Sequence, residues 1–316
     1  MTASMERVVM IHSEQLTLFD DGRLTGRTRI DKAIGPFLDY LIAEGKSDNT
    51  LKSFRSDMNL VIEFLGGDTP LASISTERLN QFLTWLEFGR GIPCSRKSYA
   101  RRVTTLKVFF KWLHDIKVIP TDPADKLVQR SGPAPLQPVL SFEEVRQLLD
   151  TGQQLRLGNK PDPRPLLIAQ LLIETGIKKS ETVGLEREHV ERENDPPTLI
   201  ISYHRLNVFK ERRLPISQDW IELLDEYLAQ YRPKDNRIFD CTARNLEYVL
   251  TDLAKLSGVE TKVSFETLRW TYAVHHYIQG MDMDELRKRM GLSEISWRET
   301  SQKIMKLASD LIAQES

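Results

Sequence analysis

Between Ile30 and Lys126 apolar residues return at every third or fourth position, the period of helices that each bury one face. Ile34, Phe37, Leu38, Tyr40, Leu41 and Ile42 predict a first helix, which Gly45 ends. Ser47 or Asp48 can cap a second, with Leu51, Phe54, Met58, Val61, Ile62 and Phe64 turned inward. A third runs from about Ser75 to Phe88 on a face of Leu79, Phe82, Leu83 and Leu86. The fourth, from about Ser95 to Asp115, buries Tyr99, Val103, Leu106, Phe109, Phe110 and Leu113. It also carries Arg96, Lys97, Arg101, Arg102, Lys107 and Lys111. A basic face this crowded suits neutralising phosphates along a DNA groove, and a merely solvated face is the competing reading.

The helical period breaks over residues 129–139, where Ser131, Gly132, Pro133, Pro135 and Pro138 read as a semi-extended linker between two domains. Beyond it, Ser141 and Glu144 have the spacing of a capping box. Pro165 to Glu174 predicts a helix apolar through Leu166, Leu167, Ile168, Leu171, Leu172 and Ile173, with its proline in the first turn. Thr198–Ser202 and Lys210–Ile216 alternate as strands of a small sheet with a hairpin. Further helices are predicted over Gln218–Tyr231, Ala243–Leu256 and from Phe265 onward. An amphipathic terminal segment carries Ile304, Met305, Leu307, Ala308, Leu311 and Ile312. The expected domains are a flexible tail over 1–28, a helical domain over 29–128 and an α+β domain over 140–316.

A length of 316 residues suits two domains, and a net charge of −1 gives no global pull toward nucleic acid. A nucleic-acid reading therefore rests on local clusters. Cys94 and Cys241 lie far apart, with neither a CxxC nor a Cys/His metal spacing. They read as reduced thiols of a cytoplasmic protein, and neither a metal nor a cofactor is expected. No apolar run is long enough to span a bilayer, and the chain does not open with a signal-peptide pattern.

Several stretches resemble the signatures of the tyrosine recombinases, the family of phage integrases and Xer-type resolvases. Thr175-Gly176-Ile177-Lys178-Lys179-Ser180-Glu181-Thr182-Val183-Gly184-Leu185 resembles "TGLRxSElxgL". The family arginine that holds the scissile phosphate falls at Lys178, and Glu181 takes the place of the acidic residue supporting it. The stretch FETLRWTYAVHHYIQGMDMDELRKRMGLSEISWRETS, from Phe265 to Ser301, resembles the second signature, "HxLRHTxA" through "LGH" to the nucleophilic tyrosine. Leu268, Arg269, Thr271, Ala273, Gly280 and Gly291 match it. The two "HxLRH" histidine positions hold Glu266 and Trp270, the "LGH" histidine position holds Leu292, and the nucleophile position holds Ser301. KERRLPI, from Lys210 to Ile216, resembles the family hairpin, which puts the general-acid lysine at Asn207. A slip in register would let Arg205 or Lys210 substitute. SYARRVTTLKVFFKWLHDIKVIPTDPAD, closing with Asp122-Pro123-Ala124, resembles the end of the family's core-binding domain, whose helix contacts DNA.

The resemblance implies a mainly α fold with a small β-sheet: a helical SAM-like core-binding domain and an α+β catalytic-type domain closing around a duplex. It also implies DNA contacts at Arg96, Lys97, Arg101, Arg102, Lys107, Lys111, Lys178, Lys210 and Arg269. The terminal helix would pack either on a neighbouring protomer, as in the family, or on its own domain. Gln15-Leu16-Thr17-Leu18-Phe19 resembles the QLxLF peptide by which bacterial proteins dock on the DNA polymerase sliding clamp. In the competing reading, Leu16, Leu18 and Phe19 fold back on their own domain.

The chemistry of the site looks deleted. A phenol ionises near pKa 10, far more readily than an aliphatic alcohol, so Ser301 would need an adjacent base. The positions that could supply a base or acid hold Glu266, Asn207 and Leu292. Lys178 keeps a charge but loses the planar two-pronged contact to phosphate. Losing one such preorganised donor costs other enzymes about 3–4 kcal/mol of transition-state stabilisation. Arg269 is read either as a residual phosphate contact or, preferably, as half of a salt bridge to Glu266 or Glu181. His275, His276 and Trp270 are read as packing residues. The expectation is a DNA-binding homologue without strand cleavage, acting as an architectural or accessory factor. The alternatives are an active recombinase using Ser301, Tyr272, Tyr277 or a partner's tyrosine, and a protein scaffold without DNA affinity.

Overall fold

The computed structural model describes residues 23–129, 136–205 and 208–315, and these fall into two compact units divided at Ala134 and Pro135. The Gln15–Phe19 peptide, most of the 129–139 linker and Asn207 lie outside the described residues.

The first unit is built from α1 (Ile30–Ala43), α2 (Asp48–Leu65), α3 (Thr76–Thr84) and α4 (Arg96–Asp115). Serines start three of them: Ser47, Ser75 and Ser95 accept from the amides of Thr50, Arg78 and Ser98. Each such cap stabilises a helix by about 1 kcal/mol. The four helices share one core, centred on a cluster of rings. Phe37 meets Phe54, Phe109 and Trp112 at centroid separations of 5.8, 5.0 and 5.4 Å. Ile42 departs from the predicted stripe and is 58% exposed at the helix end, while Ile30 and Ala33 complete the buried face. The third helix also differs from expectation. It gives way after Thr84 to a π-helical turn, Trp85–Gly89, which swings Phe88 into solvent at 80% exposure.

The second unit has α5 (Phe142–Leu157), α6 (Arg164–Thr175), α7 (Lys179–Val183), α8 (Gln218–Tyr231), α9 (Ala243–Ser257), α10 (Phe265–Ile278), α11 (Met283–Arg289) and α12 (Glu294–Glu315). An antiparallel sheet runs in the order β1 (Val190–Glu191), β2 (Thr198–Arg205) and β3 (Val208–Pro215). Its register pairs Thr198 with Pro215 and Ser202 with Glu211. The capping box expected at Ser141 and Glu144 is present, with bonds of 2.9 and 3.1 Å.

Helix α6 is apolar nearly all round because it is packed on nearly all sides, against α5, α8, α9, α10 and β3. Helix α10 spans two cores. Phe265 and Leu268 join the core around α6, while Tyr272, Ala273 and Val274 join one formed with α11 and α12. Helix α12 docks on its own unit in this second core, through Ile304, Ala308 and Leu311.

Candidate functional site

The turn after α6 and the middle of α10 meet at Gly176. This residue ends α6 in the left-handed conformation, at φ +58°, where glycine carries no penalty. It lies against the ring of Tyr272, so closely that a Cβ would collide with the ring. The close approach puts the Gly176 carbonyl beside Arg269, which donates Nη1 to it. The other arm of Arg269 reaches the end of α11, where Nη2 donates to the carbonyl of Met290 at 2.6 Å. Arg269 is only 6% exposed. The surviving family arginine therefore joins three segments of backbone. This corrects the salt bridge expected to Glu266 or Glu181: its guanidinium bonds to carbonyls.

Glu181 is engaged elsewhere. Arg212 on β3 holds it with both arms, Nη1 to Oε1 at 3.1 Å and Nη2 to Oε2 at 2.6 Å. The third edge of Arg212, Nε, donates to the carbonyl of Arg289 at 2.9 Å. Gly291, at φ +62°, leaves room for this guanidinium, and a Cβ there would stand 2.7 Å from Nη1. Burial pushes the Glu181 carboxyl up, but the Arg212 bonds and charge, with help from Lys178, bring it below the usual range. Arg212 is the residue that sequence reasoning missed. Its signal was present in KERRLPI, two positions after Lys210 and so on the same face of the strand.

Lys178 stands at the mouth of this cluster, half exposed, with its amide donating to Glu181 at 2.7 Å. Its ammonium is 3.8 Å from Glu181 Oε1. Burial pulls the Lys178 pKa down, the charges of Arg269 and Arg212 pull it further, and Glu181 opposes them. A phosphate approaching here would meet the Lys178 ammonium, with Arg269 and Arg212 each already making internal bonds.

At the other family positions, Glu266 is exposed and accepts from Trp270 Nε1 at 3.0 Å. Trp270 is thus half-buried, hydrogen-bonded at its edge and packed against the second core, as expected. Leu292 packs on the second core. Ser301 lies inside α12, with its hydroxyl on the carbonyl of Arg298 at 3.3 Å, a local helix contact. Tyr272 is 1% exposed, and burial pushes its phenol up. His275 is buried, bonded to the Leu140 carbonyl at 2.8 Å and stacked on Phe142 at 3.9 Å. His276 bonds the Tyr272 carbonyl at 3.0 Å, and burial pulls its pKa down. Lys210 is exposed on β3. Among the described residues no cluster could hold a metal ion.

In the first unit, the basic face of α4 is less free than its sequence suggests. Arg101 and Arg102 approach Asp57 on α2 at 2.8 and 3.6 Å. Lys107 donates to the Asp125 carbonyl at 3.2 Å, and Lys111 lies 3.1 Å from Asp115. Arg96 and Lys97 are exposed in the first turn.

The comparisons with known proteins agree with this architecture. Residues 138–300 match the phage integrase family, and residues 34–117 match the phage integrase N-terminal SAM-like domain. Tyrosine recombinase XerD of Listeria innocua is 27% identical over 292 residues, covering 87% of this chain and 94% of the relative. Among solved structures, the XerH site-specific recombinase bound to palindromic difH substrate, a post-cleavage complex, superposes with a TM-score of 0.69 at 16% identity. That match covers 92% of this chain and 96% of the other. A lambda integrase dimer bound to a COC′ core site superposes with a TM-score of 0.65 at 15% identity, over 85% and 93% of the two chains.

Proposed function

The chain belongs to the phage integrase family, and from its site we propose that it binds double-stranded DNA without cutting it. One observation carries this reading: the position matching the family nucleophile holds Ser301, whose hydroxyl is bonded to the Arg298 carbonyl within its own helix, while Arg269 and Arg212 make internal bonds to backbone and carboxylate. Cleavage needs donors aimed at the developing charge of the phosphorane and a group that attacks it. Here the donors brace backbone and carboxylate, and the hydroxyl at the attacking position is bonded within its own helix. Tyr272, three residues from Arg269 on α10, is walled into the core.

The DNA-binding half of the reading rests on the two-domain frame and on exposed cations, Arg96, Lys97, Lys178 and Lys210. The structures that share the fold include a lambda integrase dimer bound to a core site and the XerH recombinase bound to its difH substrate. Such a protein would act as an architectural or accessory factor in recombination or integration, within the cytoplasm and on the nucleoid. Among the described residues no helix is long and apolar enough to cross a membrane. Two partner proposals accompany this reading. The Gln15–Phe19 peptide would recruit the protein to the polymerase sliding clamp. Protomers would associate through surfaces other than the α12 face already buried in its own unit.

The test has two readouts on one preparation. Fluorescence anisotropy with random duplex DNA over a salt series measures binding, and nicked suicide duplexes run on denaturing gels detect covalent adducts. Salt-sensitive binding without adducts is expected. Covalent adducts would overturn the loss of cleavage, and absence of binding at low salt would overturn DNA binding.

A further inference from the structure

Asp57 is a buried acid in a helix pair otherwise packed with rings and aliphatic side chains, at 1% exposure. It sits in the middle of α2 and faces α4. Thr105 Oγ1 donates to Oδ2 at 2.9 Å. Its other oxygen, Oδ1, is met by Arg101 Nη2 at 2.8 Å and more distantly by Arg102 Nε, in ionic contacts off hydrogen-bond alignment. The two arginines differ in what they have left. Arg102 is 12% exposed, and its Nη1 is taken up by the Cys94 sulfur at 2.8 Å. Arg101 is 43% exposed; Nη2 meets Asp57 and Nη1 donates to the Ser53 carbonyl at 3.4 Å, which leaves a second N–H on each Nη and the Nε–H for another partner. Arg101 also lines a groove of about 320 Å³ with Asn49, Thr50, Ser53, Phe54 and Thr104.

This arrangement is poorly suited to a phosphate contact. Attraction to phosphate needs only positive charge, which solvated side chains such as Arg96 and Lys97 supply. A carboxylate behind the arginine subtracts charge, and burying it has a cost, seen in the upward push that burial gives Asp57. What the carboxylate adds is direction. Together with the Ser53 carbonyl it holds a planar fork on one side of α4, beside amide and hydroxyl groups that can meet base edges. A fork held at one angle is what two-pronged recognition of guanine O6 and N7 in a major groove requires.

We propose that Arg101, positioned by Asp57, reads a guanine in the DNA site of this protein, and that Asp57 is the residue on which that selectivity depends. The inference rests on the DNA-binding reading above, and its experiment separates the two. Full-length protein would be used to select bound sequences from a random duplex library. The selected duplex would then compete against versions with single base pairs exchanged, across a salt series. The wild-type protein is expected to show one guanine whose replacement weakens binding roughly 5- to 150-fold. Arg101→Lys keeps the charge and loses the fork. It should lose discrimination at that base pair while the preferences at the other positions of the selected site stay as in the wild type. Asp57→Asn should reduce discrimination at the same base pair; should it not fold, Arg101→Lys decides the matter alone.

Two results would overturn the inference while leaving DNA binding in place. One is salt-sensitive wild-type binding with no guanine preference. The other is a preference that survives in Arg101→Lys, coupled to a shallower salt dependence in Arg101→Ala, the mark of a phosphate contact. No duplex retained at any salt would overturn both readings.

Discussion

Arg212 grips Glu181 through both Nη groups, at 3.1 and 2.6 Å, and by that contact ties strand β3 to the first turn of α7. The two side chains are 15% and 17% exposed, and the third edge of Arg212 holds the end of α11. Helix ends and a strand thus meet at one carboxylate through a half-buried arginine. The same contact pairs the Arg212 charge with a carboxylate, which weakens its attraction for a phosphate.

Removing one partner of this pair leaves the other charge largely enclosed. Arg212→Ala is expected to destabilise the second unit by about 3 kcal/mol. Arg212→Lys should recover little of that, because an ammonium cannot reproduce the fork. Urea denaturation followed by tryptophan fluorescence measures both. A loss below about 0.5 kcal/mol in Arg212→Ala would show that the pair contributes no more than a surface ion pair.

Glu181 also predicts an acid limit. Its carboxyl lies below the usual range in the folded state, so the stability it contributes is present above its unfolded value of 4.5. That contribution falls away as pH drops below this value and through the lower folded value. Glu181→Gln should therefore flatten the stability profile below about pH 4.5 and lower the plateau above it. Chemical denaturation at pH steps from 3 to 7 would test this, and parallel profiles for the two proteins would count against it.

Gly176 admits no side chain. Its φ of +58° disfavours other residues, and a Cβ would enter the ring of Tyr272. Gly176→Ala is expected to cost about 2 kcal/mol or more, from backbone strain and overpacking together. For a unit of this size that corresponds to a fall in Tm of roughly 4–8 °C. An unchanged melting curve would mean that α10 moves aside freely.

Restoring the nucleophile alone should not restore cleavage. Ser301→Tyr places a phenol in α12, but Arg269 still bonds Gly176 and Met290, and Arg212 still bonds Glu181. No covalent adduct with a nicked duplex is expected from this substitution. Adduct formation would show that the arginine bonds open when DNA arrives.

The first turn of α4 should carry a measurable part of any salt dependence. Neutralising Arg96 and Lys97 as Arg96→Gln and Lys97→Gln is expected to lower the slope of log affinity against log salt by about 1.8. Lys111→Gln should change it by well under the roughly 0.9 of one phosphate contact, since Lys111 already has Asp115 at 3.1 Å. A change of about 0.9 would place Lys111 on the DNA as well.

Much of this protein was legible along the chain because it depends on local physics. Periodic apolar residues and serine caps marked most helices, and alternating β-branched residues marked the hairpin. The order of types within two short motifs was enough to suggest the family and the loss of its reactive groups at Ser301, Glu266 and Leu292. Ile42 was misplaced, and the third helix was carried past Thr84, because the period alone does not say where a helix runs out of neighbours or shifts into a π turn.

What the sequence by itself determined was which chemistry is present: no tyrosine after Tyr277, a lysine for an arginine, and a cluster of cations on one helix. Only the tertiary structure decided what each charge is joined to. Arg269 finds carbonyls, Glu181 takes Arg212, and Asp57 lies under Arg101, through contacts that span 93, 31 and 44 positions of the chain. Such partners are chosen by packing. A buried charge must be satisfied by whatever polar group the fold brings within reach, and no local pattern records which one that will be.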